Sequence, residues 1–275
     1  MKGFSSRLLL VNLILITYLV FSELVLAETN PRATGDRSSS GATCPAPKPC
    51  ECERTPGRLV LNCRQHHLDQ VPTFSHSSEI VAELTLANNR LVTLPDNAFR
   101  ALKIHRLDLR DNQLANISAT AFSGLDSHLE ELLIQLDRTA NFPSRALATL
   151  TRLRVLSVIG YGGASLPSGA LASLGQVREL RLTDGSLRTM LPADVRAMQA
   201  SLSVVYLSGN PLGRVPTAAL ATLSNLTEVH LSGCQIARLG ARAFTTNWTR
   251  LRLVDLSRNQ LEVYVQNMFK KIQKY

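Results

Sequence analysis

The sequence predicts an α/β fold, a curved horseshoe-shaped solenoid with a parallel β-sheet on its concave face and irregular or helical segments on its convex side. Three observations lead to this class. Leucine accounts for 47 of the 275 residues, one eleven-residue pattern recurs eight times, and four cysteines are grouped shortly before the first repeat. A composition that depends so strongly on one apolar residue is typical of a repeat that uses it for one packing role.

The recurring pattern has an aliphatic residue, mostly leucine, at positions one, four, six and eleven, and often asparagine at position nine. It appears first as VAELTLANNRL at 81–91 and last as LRLVDLSRNQL at 251–261. Consecutive repeats start 23 to 25 residues apart. Eight copies at this spacing indicate one supersecondary unit repeated along the chain. The eight repeats start at Val81, Ile104, Leu129, Leu153, Val177, Leu202, Leu226 and Leu251.

Each repeat divides into a strand and a return segment. Positions three to six alternate with period two, which predicts a short strand with its leucines pointing inward. The second half has wider apolar spacing, as in Leu94, Phe99 and Leu102. One unit cannot bury its own leucines, whereas a stack forms a continuous core. Strands are narrower than the returns, so we expect the stack to bend with the sheet on the concave side.

Asparagine at position nine has a specific role. The chain leaves the strand there, and a buried amide that both donates and accepts can satisfy the backbone groups of the turn. We expect such a ladder at Asn89, Asn112, Asn210 and Asn259. Cys234 occupies the same position and is interpreted as a buried core cysteine. The third to fifth repeats have Asp137, Tyr161 and Gly185 there, which predicts a looser or differently curved middle.

The N-terminal residues predict export. Residues 1–27 have the charged, apolar, small-residue order of a secretory signal peptide, with cleavage expected after Ala27. An uncleaved signal anchor is the alternative. Residues 28–43 contain no apolar residue larger than alanine, so we expect a disordered leader. No later segment is long and apolar enough to cross a bilayer, and the predicted location is secreted or extracellular.

Four of the five cysteines lie close together, at Cys44, Cys50, Cys52 and Cys63. In an exported chain this grouping favours two disulfides over a metal site, because zinc sites usually use paired CxxC spacing. Four cysteines allow three connectivities, and their spacing does not choose among them.

With these motifs, the chain resembles extracellular leucine-rich repeat proteins, and 44–72 resembles their cysteine-rich N-terminal cap. We place the cap at 44–80 and the eight repeats at 81–275. The resemblance implies the pairs Cys44–Cys52 and Cys50–Cys63. Many such proteins also end in a second cysteine-rich cap, but no cysteine follows Cys234. Three explanations stay open: side chains from Tyr264 onward fold over the last repeat, two molecules pair there, or the chain is part of a longer one.

The sequence does not predict an enzyme. It contains no catalytic, phosphate-binding or dinucleotide-binding motif, and we expect no cofactor, metal or nucleic-acid partner. The resemblance implies binding of cell-surface or extracellular proteins in adhesion, guidance or recognition. Two alternatives are a structural matrix protein that binds proteoglycans or fibres, and a truncated ectodomain of a membrane receptor.

The candidate ligand-binding residues occupy outward strand positions of repeats three to seven. An apolar area that includes tyrosine and arginine is the usual composition of a binding hot spot. A register error of one residue would turn these side chains inward instead. The predicted residues are Leu133, Val155, Ile159, Arg181, Val204, Tyr206 and His230.

Two further surface features accompany this face. The chain has a formal net charge of +9, and five arginines next to strand starts form an edge that could bind sulfated glycosaminoglycan or anionic membrane, or could simply be solvated. Three acceptor sequons, at Asn116, Asn225 and Asn247, fall outside the predicted concave strands. The edge arginines are Arg152, Arg154, Arg178, Arg250 and Arg252.

Overall fold

A computed structural model describes residues 43–240 and 249–262. Several predictions therefore concern residues outside the described part: the signal peptide, nearly all of the leader, the sequon at Asn247 and the C-terminal tail from residue 263. By its contacts the chain divides into two units, 1–43 and 44–275. The second unit contains the repeats, and within it no described helix is long and apolar enough to cross a membrane.

The second unit is built on a ten-stranded sheet whose strands follow one another in chain order. Strands β4 (Thr93–Leu94) and β6 (Asn116–Ile117) form a separate parallel pair in the return segments. The strands of the main sheet are β1 (Glu51–Thr55), β2 (Arg58–Asn62), β3 (Ile80–Thr85), β5 (Lys103–Leu114), β7 (Glu131–Leu136), β8 (Val155–Ile159), β9 (Glu179–Thr183), β10 (Val204–Tyr206), β11 (Glu228–His230) and β12 (Leu253–Asp255).

Helix is a minor component of the described residues. Helices α1 (Ser144–Leu147) and α2 (Thr217–Leu220) have four residues each, and a 3₁₀ helix covers Pro192–Met198. The return segments are therefore mostly irregular, and the fold is a β-solenoid with little helix. The parallel sheet and the repeat stack are those that the sequence predicts.

The parallel register places equivalent residues of successive repeats side by side. Val205 pairs with Leu180 on one side and Val229 on the other, and Val205 is fully buried. Its neighbour Tyr206 points to the opposite side of the sheet, because side chains alternate along a strand. The inward and outward assignment made from the sequence is therefore correct, and the alternative register does not apply.

The core is a continuous stack of aliphatic side chains. Leu84, Leu107 and Leu132 come from three successive strands, and each is fully buried. Burial of one leucine side chain contributes about 1.5–3 kcal/mol, and these contributions accumulate along the stack. On the return side, Phe99 packs between two other phenylalanines, with its ring centroid 6.5 Å from that of Phe74 and 6.3 Å from that of Phe122.

The N-terminal cap closes the first edge of the sheet. Strands β1 and β2 form an antiparallel hairpin, and β2 pairs in parallel with β3 of the first repeat. The disulfides are Cys44–Cys52 and Cys50–Cys63, the pairing that the resemblance implies. The amide of Cys63 also donates to the carbonyl oxygen of Thr85 at 2.8 Å, which joins the cap directly to the first repeat.

The buried asparagines connect successive turns. The Asn112 side-chain nitrogen donates to the carbonyl oxygens of Leu86 and Leu109, both at 3.0 Å, and its oxygen accepts from the amide of Leu91 at 3.0 Å. Corresponding bonds tie Asn89, Asn210 and Asn259 to the preceding repeats. One amide thus satisfies donors and acceptors in two adjacent turns.

Cys234 takes the asparagine position where fewer hydrogen bonds are required. The amide of Leu212, which corresponds to the amide that Asn112 accepts from, is already bonded to the carbonyl oxygen of Asn210 at 2.8 Å. The remaining acceptor is the carbonyl oxygen of Leu207, to which the Cys234 thiol donates at 3.3 Å. Burial raises the pKa of this thiol, so it keeps the proton that it donates.

In the fourth and fifth repeats the turns approach each other through their backbones, at Gly162 directly after position nine and at Gly185 in position nine. A Cβ atom at Gly162 would lie 1.8 Å from the carbonyl oxygen of Arg138, and one at Gly185 would lie 2.5 Å from that of Tyr161. The amide of Ser186 donates to the Tyr161 carbonyl at 2.8 Å. These turns lie against one another more closely than a side chain would allow, so the expectation of a looser middle is wrong here.

Asn112→Ala should destabilise the fold strongly. The substitution leaves the Leu109 carbonyl and the Leu91 amide without their Asn112 partner, whereas the Leu86 carbonyl still accepts from Asn89. Each unsatisfied buried group costs about 1–3 kcal/mol. We expect the free energy of unfolding, measured by urea denaturation, to fall by about 2–4 kcal/mol. The control is Asn116→Ala in deglycosylated protein, since Asn116 is exposed. Equal effects of the two substitutions would contradict the assigned role.

Gly162→Ala tests the close approach of the middle turns. The added methyl must displace the Arg138 carbonyl, which belongs to the backbone. We expect a loss of about 1–3 kcal/mol, as for other overpacked sites, visible as a lower urea midpoint. Gly240→Ala is the matched control, because a Cβ there meets nothing within 4 Å. A neutral effect at Gly162 would show that the turn is not tightly packed.

Candidate functional site

The outward side chains of the repeat strands form straight columns across the sheet. Because the strands are parallel and in register, each column places one residue per strand, about 4.8 Å from the next. We call the first two columns together the sheet face. The first column is Glu83, Arg106, Glu131, Val155, Glu179, Val204, Glu228 and Leu253. The second is Thr85, Asp108, Leu133, Ser157, Arg181, Tyr206, His230 and Asp255.

The N-terminal half of the sheet face is internally neutralised. Arg106 lies between two carboxylates of its column, 3.4 Å from Glu83 and in an ion pair with Glu131. In the second column, Asp108 is buried and accepts hydrogen bonds from Arg110, with a shortest distance of 2.6 Å. That hydrogen bond raises the pKa of Arg110. Charged groups here already have partners within the chain.

The C-terminal half carries a three-residue stack. The Arg181 guanidinium carbon lies 4.4 Å from the centre of the Tyr206 ring. On the other side of Tyr206, the His230 ring lies 4.1 Å away, centroid to centroid, at an interplanar angle of 11°. The stack follows from the register, since strands β9, β10 and β11 present these residues at equivalent positions. A cation over a tyrosine ring adds about 0.5–2 kcal/mol of attraction.

Two glutamates of the first column flank the stack. Glu179 forms an ion pair with Arg181, and the Glu228 carboxylate lies 3.4 Å from Nε2 of His230. Burial raises the pKa of Tyr206; Arg181 opposes this shift and the two glutamates reinforce it. The phenol therefore stays protonated at physiological pH, and its hydroxyl can donate and accept hydrogen bonds at the surface.

The structure supports part of the predicted apolar area and corrects another part. Val155, Ile159 and Val204 are half-buried at outward positions. Leu133 was expected to be exposed, but only 5% of its surface is accessible, so that prediction is wrong. Its column neighbours Asp108 and Ser157 are also buried, so the second column is covered over this part of the sheet. The apolar area is therefore interrupted, and the stack is the main feature of the face.

The stacking itself was not predicted. Arg181, Tyr206, His230 and Asp255 were expected in one outward column, and the first three as ligand-binding residues, whereas Glu228 was not singled out. The signal that could have revealed the stack is position five of the repeat, which carries arginine, tyrosine and histidine in three consecutive copies. Residues at one position of adjacent parallel strands are neighbours, so reading the repeats by column predicts the contacts.

Two of the predicted glycosylation sites lie within the described residues. Asn116 is exposed and begins β6, outside the ten-stranded sheet. Asn225 is half-buried; its side-chain nitrogen donates to the Ala200 carbonyl, and its oxygen accepts from Arg250 at 2.6 Å. Neither side chain belongs to the sheet face, so glycans there would leave that face open.

The arginine edge consists of two groups rather than one strip. All five arginines are exposed. A backbone hydrogen bond joins Arg154 and Arg178, which directly precede the adjacent strands β8 and β9, whereas Ser203 and Thr227 lie between Arg178 and Arg252. Arg154 is also partly neutralised, since Glu130 lies 3.3 Å away. The predicted edge is therefore interrupted by two uncharged residues.

Comparison with known proteins gives the same repeat. Models described as leucine rich repeat match residues 81–135 and 222–244. Leucine-rich repeat-containing protein 3 of Bos taurus is 31% identical over 112 residues, which cover 40% of this chain and 42% of that protein. Podocan-like protein 1 of Mus musculus is 26% identical over 205 residues, which cover 66% of this chain and 36% of that protein.

A solved structure matches the fold over most of the chain. The crystal structure of the TLR13–ssRNA13 complex superposes with a TM-score of 0.62 and 26% sequence identity, covering 71% of this chain and 27% of that one. The chain thus spans less than half the length of each of these proteins. With its leucine stack, asparagine ladder and paired cysteines, the chain thus contains leucine-rich repeats preceded by a disulfide-bonded N-terminal cap.

Proposed function

We propose that this chain is an exported protein that binds other extracellular or cell-surface proteins through its sheet face, in adhesion, guidance or recognition. It acts by binding rather than by catalysis. The observation that carries the proposal is the stack of Arg181, Tyr206 and His230 on a rigid sheet. Tyrosine and arginine are the residues most enriched at energetic hot spots of protein interfaces.

Preorganisation gives the stack its value for binding. Each ring or guanidinium is held by its column neighbours, and Arg181 is also held by Glu179. Ordering a free side chain at an interface costs about 0.5–1.5 kcal/mol, and side chains that are already ordered avoid much of this cost. Tyr206 and His230 remain half-buried rather than covered, so their edges stay available to a partner.

Two features support an extracellular location. The disulfides Cys44–Cys52 and Cys50–Cys63 are of the kind that persists in oxidising compartments. Residues 1–27 have the order of a secretory signal peptide. A structural role in the matrix and a role as part of a receptor ectodomain are the alternatives, and both also use the repeat stack as a binding surface.

Tyr206→Ala should weaken partner binding. The substitution removes the central ring of the stack and releases both of its neighbours. Loss of a hot-spot residue costs 2 kcal/mol or more, so we expect the Kd to rise roughly thirtyfold. The measurement is titration of the labelled mature chain on cells that bind it, followed by capture and identification of the bound surface protein.

Two controls accompany Tyr206→Ala. Thr85→Ala changes the same column at the other end of the sheet and should leave the Kd unchanged. Thr85→Ala should match the original chain in thermal unfolding. Tyr206→Ala should stay folded and lose only about the 0.5–2 kcal/mol of its surface stacking contacts, because the stack does not belong to the leucine core. An unchanged Kd for Tyr206→Ala would place partner binding elsewhere on the molecule.

Sulfated polysaccharide is a second candidate ligand, supported by the exposed arginine edge. Arg154 and Arg178 lie side by side, directly before the adjacent strands β8 and β9. Binding of a polyanion releases counterions, and removal of one contact lowers the log–log salt slope by about one. We expect the double variant Arg154→Gln/Arg178→Gln to elute from heparin at a lower salt concentration. The plot of the logarithm of the binding constant against that of the salt concentration should become shallower by about two.

The control for the heparin experiment is Arg90→Gln. Arg90 is exposed in a turn beyond the other end of the strands, so its loss changes net charge without changing the edge. Elution of the unsubstituted chain at low salt would remove the polysaccharide candidate. Equal shifts for Arg90→Gln and for a single edge substitution would indicate nonspecific charge attraction.

A further inference from the structure

We propose that the partner of the sheet face is a basic protein segment, which places a lysine or arginine side chain against Glu228 and Asp255. This inference rests on the proposed function and specifies the chemistry of its partner. It runs against the overall composition, because a chain with a net charge of +9 would be expected to attract acidic partners.

The charge of the sheet face differs in sign from that of the chain. The two columns contain six carboxylates and two arginines among the described residues. Positive charge lies instead at the strand-start edge and in the turns. The carboxylates are Glu83, Asp108, Glu131, Glu179, Glu228 and Asp255.

Four of these six carboxylates are matched by arginine. Glu83 and Glu131 share Arg106, and Asp108 pairs with Arg110. Glu179 pairs with Arg181, which also lies over the Tyr206 ring. The negative charge of the face is therefore neutralised along the strands up to β9, and the excess lies on β11 and β12.

Glu228 and Asp255 have weaker partners. Glu228 lies 3.4 Å from Nε2 of His230, so its partner is an imidazole and not a guanidinium, which carries a permanent charge. Asp255 accepts a hydrogen bond from the amide of Ser257 at 2.9 Å, which leaves its charge in place. Among residues 43–240 and 249–262, neither carboxylate has an arginine partner, and the Glu228 side chain is 40% exposed.

The surroundings of this pair fit a long cationic side chain. Glu228 and Asp255 lie diagonally across one square of the sheet face, and Leu253 occupies a third corner with 41% exposure. The stem of a lysine or arginine packs on apolar surface while its charged head reaches polar groups. Leu253 and the edge of the Tyr206–His230 pair offer that surface next to the carboxylates.

The arrangement suits an organic cation better than a metal ion. Within residues 43–240 and 249–262, no group of three or more histidine, cysteine, aspartate or glutamate side chains is placed to hold a metal. A sulfated chain would meet repulsion from the two carboxylates here and would be attracted instead to the arginine edge. Charge complementarity therefore selects a basic partner for this end of the face.

The test uses three short fluorescent peptides with alternating residues: lysine–serine, glutamate–serine and glycine–serine. Binding to the complete mature chain is measured by fluorescence anisotropy at low ionic strength and over a salt series. We expect the lysine–serine peptide to bind and the other two not to bind. In Glu228→Gln/Asp255→Asn, we expect its Kd to rise about fivefold or more, as for the loss of close charge pairs.

Two matched variants keep the experiment decisive. Glu53→Gln/Asp69→Asn removes the same charge from exposed residues of the cap and should leave the Kd within about twofold, as expected for screened distant charges. Glu228→Asp/Asp255→Glu keeps both charges and should restore most of the binding. The inference would be overturned if Glu228→Gln/Asp255→Asn and Glu53→Gln/Asp69→Asn weakened binding of the lysine–serine peptide equally. Preferential binding of the glutamate–serine peptide would also overturn it.

The same variants separate this inference from the proposed function. If Tyr206→Ala abolishes cell binding while Glu228→Gln/Asp255→Asn retains it, the face binds a partner that is not basic, and only the inference fails. If neither variant changes cell binding, the proposed function fails. Concentration-dependent self-association that requires both Glu228 and the arginine edge would support the inference and identify the basic segment as that of a second copy.

Discussion

The in-register parallel pairing of short strands is the constraint from which the other features follow. Each repeat hides its leucines only against the repeats beside it, so the core exists only if equivalent residues align. The same alignment arranges the outward side chains in columns at the strand spacing. Arg181, Tyr206 and His230 therefore stack face to face, at distances of 4.4 and 4.1 Å that are close to the separation of the strands.

The turns must satisfy their backbone groups without disturbing that alignment, and the chain does so in more than one way. Asn112 represents the usual solution, in which one amide bridges two turns. Cys234 is sufficient at this position because the amide of Leu212 in the preceding turn already donates to the carbonyl oxygen of Asn210. Only the Leu207 carbonyl remains for the thiol. Gly185 removes the side chain at this position, Gly162 removes the one next to it, and both bring the backbones of adjacent turns together. Departures from the repeat pattern are thus alternative solutions of one hydrogen-bonding problem.

Electrostatics on the sheet face also follows from the columns. Opposite charges at one repeat position become neighbours on adjacent strands, as with Glu83, Arg106 and Glu131. Further along the first column, Val204, Glu228 and Leu253 follow one another, so no opposite charges are neighbours in this column on these strands. Their side chains remain available for other contacts. Net charge summed over the chain says little about such a surface, because opposite charges are segregated between the face and its edge.

The sequence by itself determined the repeat length, the inward leucines, the strand positions and the asparagine ladder, because all of these depend on local periodicity. The disulfide pairing came from the resemblance of the cap. Only the tertiary structure decided that Leu133 is covered, that the middle turns are tight and that Arg181, Tyr206 and His230 form one stack. These features depend on contacts between residues about 25 positions apart, whose burial and side-chain geometry are set by neighbouring repeats.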